Sequence, residues 1–296
     1  MAQEATAAEA KVGPTDAGEF REWVMAYLRE HYTEAKSLKR YTAAWLRIVD
    51  FNNERGIRHP VHVRYEHAAD FMTWRKGQGV KHNTARLEIK FYSFILQEAL
   101  RREYCQKNPL SLALISREPV AQKPDLDLES FRKARAAFAA RTTAPWMLTV
   151  FEVCAHVGCR FREAEFGPES VDFEKKILWI TDSKRDDTDP RKRFGVPLPD
   201  TLAEHLRDVF KTRKRTAPDL THGEQNRQFN ITLKGACGAT SHSLRVAFIT
   251  RCHRAGLSES QAMRLTNHST RLVHHIYSRL SVDDARDAAA KVPPPL

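Results

Sequence analysis

The sequence has no run of about eighteen apolar residues, so it offers no candidate for a membrane-spanning helix. Its start, MAQEATAAEAKVGPTDAGE, lacks a basic region followed by an apolar one, and no secretory leader is expected. Cysteines are few and odd in number: the five (Cys105, Cys154, Cys159, Cys237, Cys252) form no C-x-x-C pair and read as reduced thiols of a cytosolic protein. Cys154 and Cys159 lack a second ligand pair at zinc-site spacing. There is no glycine-rich phosphate loop, no dinucleotide fingerprint and no metal-carboxylate cluster, so no cofactor is expected. No internal repeat is visible. Acidic residues are the minority: 37 Asp and Glu stand against 48 Lys and Arg, a net charge of +11 that favours a polyanionic partner. That count alone would equally describe a basic RNA-binding protein.

What is present suffices for two domains of ordinary size. Residues 1–16 are small and polar and read as a disordered tail. Phe20, Trp23, Val24, Tyr27 and Leu28 then repeat at helical spacing. A second helix carries Tyr41, Ala44, Trp45, Ile48 and Val49 on one face and Lys36, Lys39, Arg40 and Arg47 on another. A third spans about Tyr65 to Arg75. A fourth runs from about Asn83 to Tyr104 with Leu87, Phe91, Phe94, Ile95 and Leu100 inward, and Lys81, His82, Arg86 and Lys90 cluster at its start. Residues 17–115 are thus an all-α domain. A single surface lysine is ordinarily just solvated. The set Lys36, Lys39, Arg40, Arg47, Lys81, Arg86 and Lys90 is a candidate phosphate-contacting surface, because neutralising a phosphate backbone takes several cations together.

Residues 116–125, with two prolines and little periodicity, read as a linker that would let two domains close around a duplex. The second domain, 126–296, opens with helices at about Leu128–Ala140 and Pro145–Val157. Short strands follow at Val171–Phe173, Ile177–Thr181 and Phe194–Leu198, the last two joined by a polar loop whose composition suggests mobility. A helix covers about Thr201–Arg213, and the basic run 211–215 follows it. Residues 216–240 show little pattern. Ser281 and Asp284 resemble a capping box and predict a last short helix, Val282–Lys291.

The stretch from Ser241 to Tyr277 carries the chemistry. His242 and Arg245, three apart, share a helix face. His268 follows the helical run Glu259–Leu265, and Tyr277 comes nine residues later in another. A guanidinium fork matches phosphate oxygens and stays charged, and a tyrosine hydroxyl can attack phosphorus to give a covalent intermediate. Upstream, Gly158-Cys159-Arg160-Phe161-Arg162-Glu163 follows an apolar helix, and Lys184 sits in the loop between two strands. Alone, each motif is weak; a lone histidine or tyrosine is ordinarily structural.

Together they resemble the tyrosine recombinase (phage-integrase-type) family. The G-x-R-x-x-E box falls on Gly158, Arg160 and Glu163, and the hairpin lysine on Lys184. The H-x-L-R box falls on His242, Leu244 and Arg245, the L-G-H box on Leu265 to His268, and the nucleophile on Tyr277. The resemblance covers residues 17 to 290. It departs at Asn267, which replaces the usual glycine, and at Val246, which replaces a frequent histidine; asparagine tolerates left-handed angles, so the turn is expected to survive.

The resemblance implies a mainly α protein: a four-helix core-binding domain, then an α+β catalytic domain with a small three-stranded antiparallel sheet. It implies site-specific recombination through a 3′-phosphotyrosine and a Holliday junction, with Arg160, Lys184, His242, Arg245, His268 and Tyr277 catalytic and Glu163 supporting them. Lys192 is the rival to Lys184 as general acid. The implied partners are double-stranded DNA with inverted repeats, a homotetramer on that DNA and accessory proteins, with no membrane and no cofactor, in a cytoplasmic, nucleoid-associated setting. Two other readings stay open: a catalytically weak DNA-binding protein on the same scaffold, and a relaxing topoisomerase.

Overall fold

Asp16 starts the first helix. Its carboxylate accepts the Glu19 amide at 2.9 Å, and α1 (Ala17–His31) runs from there. The computed structural model describes residues 13–119, 126–221 and 223–268. The chain divides into two units, residues 1–120 and 121–296.

The first unit holds α1, α2 (Ala35–Glu54), α3 (His67–Gly77) and α4 (His82–Arg101). α1 buries Phe20, Val24, Tyr27 and Leu28, the stripe its spacing predicts. α2 buries Ala44, Trp45, Ile48 and Phe51, and Trp45 lies edge-on to Phe20 (5.2 Å) and Tyr92 (6.2 Å) at the centre of the core. Burying one such side chain contributes on the order of 2 kcal/mol or more. Two buried polar pairs cross this core. Tyr92 donates to Asn52 Oδ1 at 3.0 Å, and Arg75 forks onto Glu88 at 2.7 and 3.1 Å. The expectation for α4 needs correction at two places: Leu100 is only partly buried whereas Ala99 beside it is buried, and Leu87 is 53% exposed and Glu88 is buried in its stead. Arg75 from α3 makes that burial tolerable.

The first helix of the second unit starts at Asp127, whose side chain caps α5 (Leu128–Ala139) at the Ser130 amide, 2.7 Å away. α6 (Trp146–Val157) is apolar nearly all round and is the central helix of the core, burying Met147, Val150, Phe151, Val153, Cys154 and Val157. The sheet is antiparallel in the order β1 (Val171–Asp172), β2 (Ile177–Thr181), β3 (Arg193–Pro197), with Trp179 opposite Gly195. Leu178, Ile180, Phe194 and Val196 face the core, and Trp179 and Thr181 face out, as a half-buried sheet requires. α7 (Asp200–Thr212), α8 (Gly223–Cys237), α9 (Ser241–Arg254) and α10 (Glu259–Thr266) complete the described part.

α8 falls in the stretch 216–240, where the sequence shows little pattern. It inserts Phe229 and Leu233, four apart, and Phe229 stacks on Phe138 of α5 at 4.6 Å. Ile231, between them, is 54% exposed and blurs the periodicity. Among the described residues, no helix is long and apolar enough to cross a membrane. The 1–12 part of the expected tail, the 120–125 part of the linker, Tyr277 and the expected helix Val282–Lys291 with its Ser281–Asp284 box lie outside the described residues.

Candidate active site

α6 ends at Gly158, which takes a left-handed conformation (φ 65°) while its amide donates to the Cys154 carbonyl at 3.0 Å. A Cβ here would also overlap the Phe248 ring of α9, so the position admits glycine on two counts. The chain then extends through Arg160 into a short 3-10 helix, Phe161–Ala164. Glu163, on that helix, turns back onto Arg160. Its Oε2 accepts the Arg160 amide at 2.7 Å, and its Oε1 accepts Arg160 Nη1 at 2.6 Å. The three-residue spacing of the R-x-x-E motif thus lets one carboxylate fix both the backbone and the guanidinium of the arginine.

A second carboxylate, which the sequence did not single out, meets the same nitrogen. Asp182, at the end of β2, accepts Arg160 Nη1 at 3.1 Å. Both side chains are buried, Glu163 at 0% and Asp182 at 2%, while that of Arg160 is 27% exposed. Burial alone would lower the Arg160 pKa, but the two carboxylates more than offset it and the pKa is raised. Burial would likewise raise the Asp182 pKa; the Lys184 amide, Arg160 and Arg185 outweigh it and hold the carboxyl below its ordinary value. Both acids use Nη1. Among the described residues nothing bonds to Nε or Nη2 of Arg160, which leaves that edge of the fork for an external anion.

Arg245 comes from α9, whose N-terminus is set by Thr240 and Ser243. It is 2% exposed. Nη1 donates to the Gly158 carbonyl at 2.8 Å and Nη2 donates to the Thr266 carbonyl, so one guanidinium joins the ends of α6 and α10. His242, three residues earlier, is exposed. α10 starts at a Ser258–Gln261 capping box and ends at Asn267, which sits at φ 52°, ψ 39°. The left-handed turn expected despite the missing glycine is present. His268 follows it, half-buried, its amide donating to the Met263 carbonyl at 3.1 Å. The asparagine does more than turn the chain: Nδ2 donates to Asp182 Oδ2 at 2.9 Å and to the Arg191 carbonyl at 3.2 Å.

The structure therefore brings Arg160, Glu163, Arg245 and the turn before His268 into one connected network, with Asp182 as the missing member. Lys184 lies two residues beyond Asp182, and its amide donates to Asp182 Oδ1 at 2.9 Å. Its side chain is exposed, with no ion pair among the described residues. Lys192 differs: Nζ donates to the Arg185 carbonyl and lies 3.2 Å from Asp187. The loop is more tied than its polar composition suggests, since Arg185 and Arg191 also share Asp189. Cys154 and Cys159 lie beneath the site with sulfurs 3.9 Å apart. The neighbouring thiol and then burial push the Cys159 pKa well up, so it stays protonated.

In the first unit, Lys36, Lys39, Arg40, Arg47, Lys81 and Lys90 are exposed. Arg86 is partly committed, Nε donating to the Ile115 carbonyl at 2.7 Å, and Arg47 reaches Glu88 at 3.5 Å. In the second unit's basic run, Arg213 turns inward onto Thr149 at 2.7 Å and Arg215 pairs with Glu165 at 3.0 Å.

No family model matches the chain, and no curated protein matches it in sequence. Solved structures do. The Tn1549 transposon integrase in complex with a circular intermediate DNA superposes with a TM-score of 0.72 at 13% identity, covering 92% of this chain and 99% of that one. A lambda integrase dimer bound to a COC′ core site gives 0.70 at 18% identity, over 90% and 96%. A lambda integrase tetramer bound to a Holliday junction gives 0.70 at 17% identity, over 90% and 78%. These neighbours are tyrosine recombinases, and what this chain shares with them, helical unit, sheet and all, is their fold.

Proposed function

We propose that the chain is a site-specific DNA recombinase that cuts and rejoins strands through a 3′-phosphotyrosine on Tyr277 and a Holliday junction. The observation that carries this reading is the Arg160 guanidinium. Two buried carboxylates grip one of its nitrogens, and no other described residue bonds to its other edge, which suits an anion. A cation fixed in advance stabilises developing negative charge without reorganising, and removing one such contact from a transition state costs about 3–4 kcal/mol. Arg245 supports the reading from below, through the Gly158 carbonyl two residues from Arg160.

In the proposed reaction the Tyr277 hydroxyl attacks the scissile phosphorus. Its proton passes to His242 or His268. The bond from phosphorus to the 5′ oxygen breaks, and that oxygen takes a proton from Lys184. Lys184 is preferred over Lys192 because the Lys192 ammonium is held within its own loop. Attack by a 5′ hydroxyl on the phosphotyrosine reverses the same steps and joins a new strand. Lys36, Lys39, Arg40, Arg47, Lys81, Arg86 and Lys90 are the proposed phosphate contacts of the first unit, Arg86 and Arg47 with reduced freedom. The domain assignment follows the same reading: 17–115 binds the core site, 116–125 links and 126–296 performs the chemistry. The DNA would carry inverted repeats and hold a tetramer, with accessory proteins as further partners.

The test is a nicked suicide duplex built from inverted repeats flanking the gene. The wild-type chain is expected to form a covalent protein–DNA adduct, and Tyr277→Phe none. Absence of an adduct across such repeats would leave a DNA-binding protein on the same scaffold; supercoil relaxation without any sequence requirement would point to a topoisomerase.

A further inference from the structure

Asp182 is where the separate segments of the site meet. Its carboxylate is 2% exposed. Oδ1 accepts Arg160 Nη1 at 3.1 Å and the Lys184 amide at 2.9 Å. Oδ2 accepts Asn267 Nδ2 at 2.9 Å and lies 3.3 Å from Arg185 Nε. The Asp182 amide donates to the Lys192 carbonyl at 2.6 Å, closing the loop between β2 and β3 at its base. The Asn267 amide also reaches the Arg191 carbonyl at 3.2 Å, so one side chain touches both ends of that loop. The left-handed turn does not demand this: glycine would turn the chain as well and has no side chain to reach the loop.

We infer that Asp182 and Asn267 form a latch that fixes the β2–β3 loop, and with it the backbone of Lys184, against Arg160 and the turn leading to His268. The inference rests on the strand-transfer reading, and within it both are positioning residues for the general acid. The ion pairs inside the loop cannot do this alone. Arg185–Asp189, Arg191–Asp189 and Lys192–Asp187 tie the loop only to itself, and the last two each include a well-exposed partner, where ion pairs are weak in water. The Asp182 carboxylate is itself buried, and its bonds join the loop to two other elements. A proton donor needs placement within a fraction of an ångström, and a displacement of about 1 Å can slow a reaction roughly a hundredfold.

The test uses Asn267→Gly in the full chain, which keeps a residue suited to the left-handed turn and deletes only the latch. Two readouts are taken. Limited trypsin digestion reports cutting within residues 184–192, where Lys184, Arg185, Arg191 and Lys192 are cleavable. The expected result is a rise of roughly tenfold or more with an unchanged melting temperature. Single-turnover cleavage of the suicide duplex is expected to slow roughly ten- to a hundredfold, and a 5′-thio leaving group, which needs no proton, should restore most of the rate. Unchanged trypsin sensitivity overturns the latch whatever the activity, and so does equal slowing on the oxygen and sulfur substrates. A wild-type chain that forms no Tyr277 adduct on either duplex sinks the strand-transfer reading instead, and the digestion still decides whether the latch exists.

Discussion

The Arg245 guanidinium donates to the carbonyl oxygen of Gly158 at 2.8 Å, across 87 positions of sequence. The bond depends on the glycine's own geometry. At φ 65° the peptide turns sharply out of α6, and a Cβ would run into Phe248. Gly158→Ala should therefore meet two penalties, about 1–2 kcal/mol for the left-handed backbone and about 1–3 kcal/mol for overpacking. The expected loss is about 2–5 kcal/mol in urea denaturation of the full chain. A variant as stable as wild type would show that α6 does not end as described.

Arg245→Lys tests the other side of this bond. A single ammonium on a flexible stem cannot copy a planar fork whose two nitrogens reach Gly158 and Thr266. One buried carbonyl is then left without a donor, which costs about 1–3 kcal/mol. Stability should fall by that amount, and adduct formation should fall about 10²- to 10³-fold if the guanidinium also serves the proposed transition state. Denaturation and the suicide-duplex assay separate the two effects. Full stability in the lysine variant would refute the two-carbonyl clamp.

The described helices other than α8, the hairpin and the spacing of Arg160, Glu163, His242, Arg245 and His268 were legible because each follows from local pattern. Helical period, turn residues and short motifs are all written within a few positions. Asp182 was not legible. A single aspartate after a strand has no signature, and its partners Arg160 and Asn267 lie 22 and 85 positions away. Asn267 could be read as a tolerated turn residue, but not as a donor to a loop that only the fold brings near. Leu87 and Glu88 invert the usual rule for the same reason: hydropathy places Leu87 inward, whereas Arg75 supplies the partner that lets Glu88 be buried. In α8, two inward residues and one exposed isoleucine are too few to set a period.

The Arg75–Glu88 pair gives a prediction for the first unit. The two side chains are each 8% exposed and meet at 2.7 Å. Removing one partner strands a buried charge, and Glu88→Leu should cost about 3–5 kcal/mol. The double change Arg75→Met with Glu88→Leu removes both charges and should recover most of that loss, since well-packed apolar replacements of buried pairs are often neutral. Denaturation midpoints of the two variants and wild type measure this directly. Equal stability for the single and double variants would mean that the arginine is not stranded.

The first unit should also lose stability in mild acid. His59 Nδ1 accepts the Val61 amide at 3.2 Å, and His67 Nδ1 accepts the Arg64 amide at 3.0 Å. Both bonds need an unprotonated ring nitrogen. Burial lowers both pKa values; His62 adds to this at His59, while Glu66 and Asp70 oppose it at His67 without overcoming it. A histidine whose folded pKa lies below the unfolded value of about 6.5 takes up protons more readily when unfolded. Its contribution is therefore whole above pH ~6.5 and is lost as pH falls from there toward the folded pKa. Asn can present an oxygen near the position of Nδ1 and does not titrate. The expected result is that wild type loses stability as pH falls below about 6.5 and that His59→Asn with His67→Asn flattens the fall. His205 in the second unit, also lowered by burial, keeps its own share in both proteins. Identical pH dependence in the two would show that these imidazoles are not the groups that titrate.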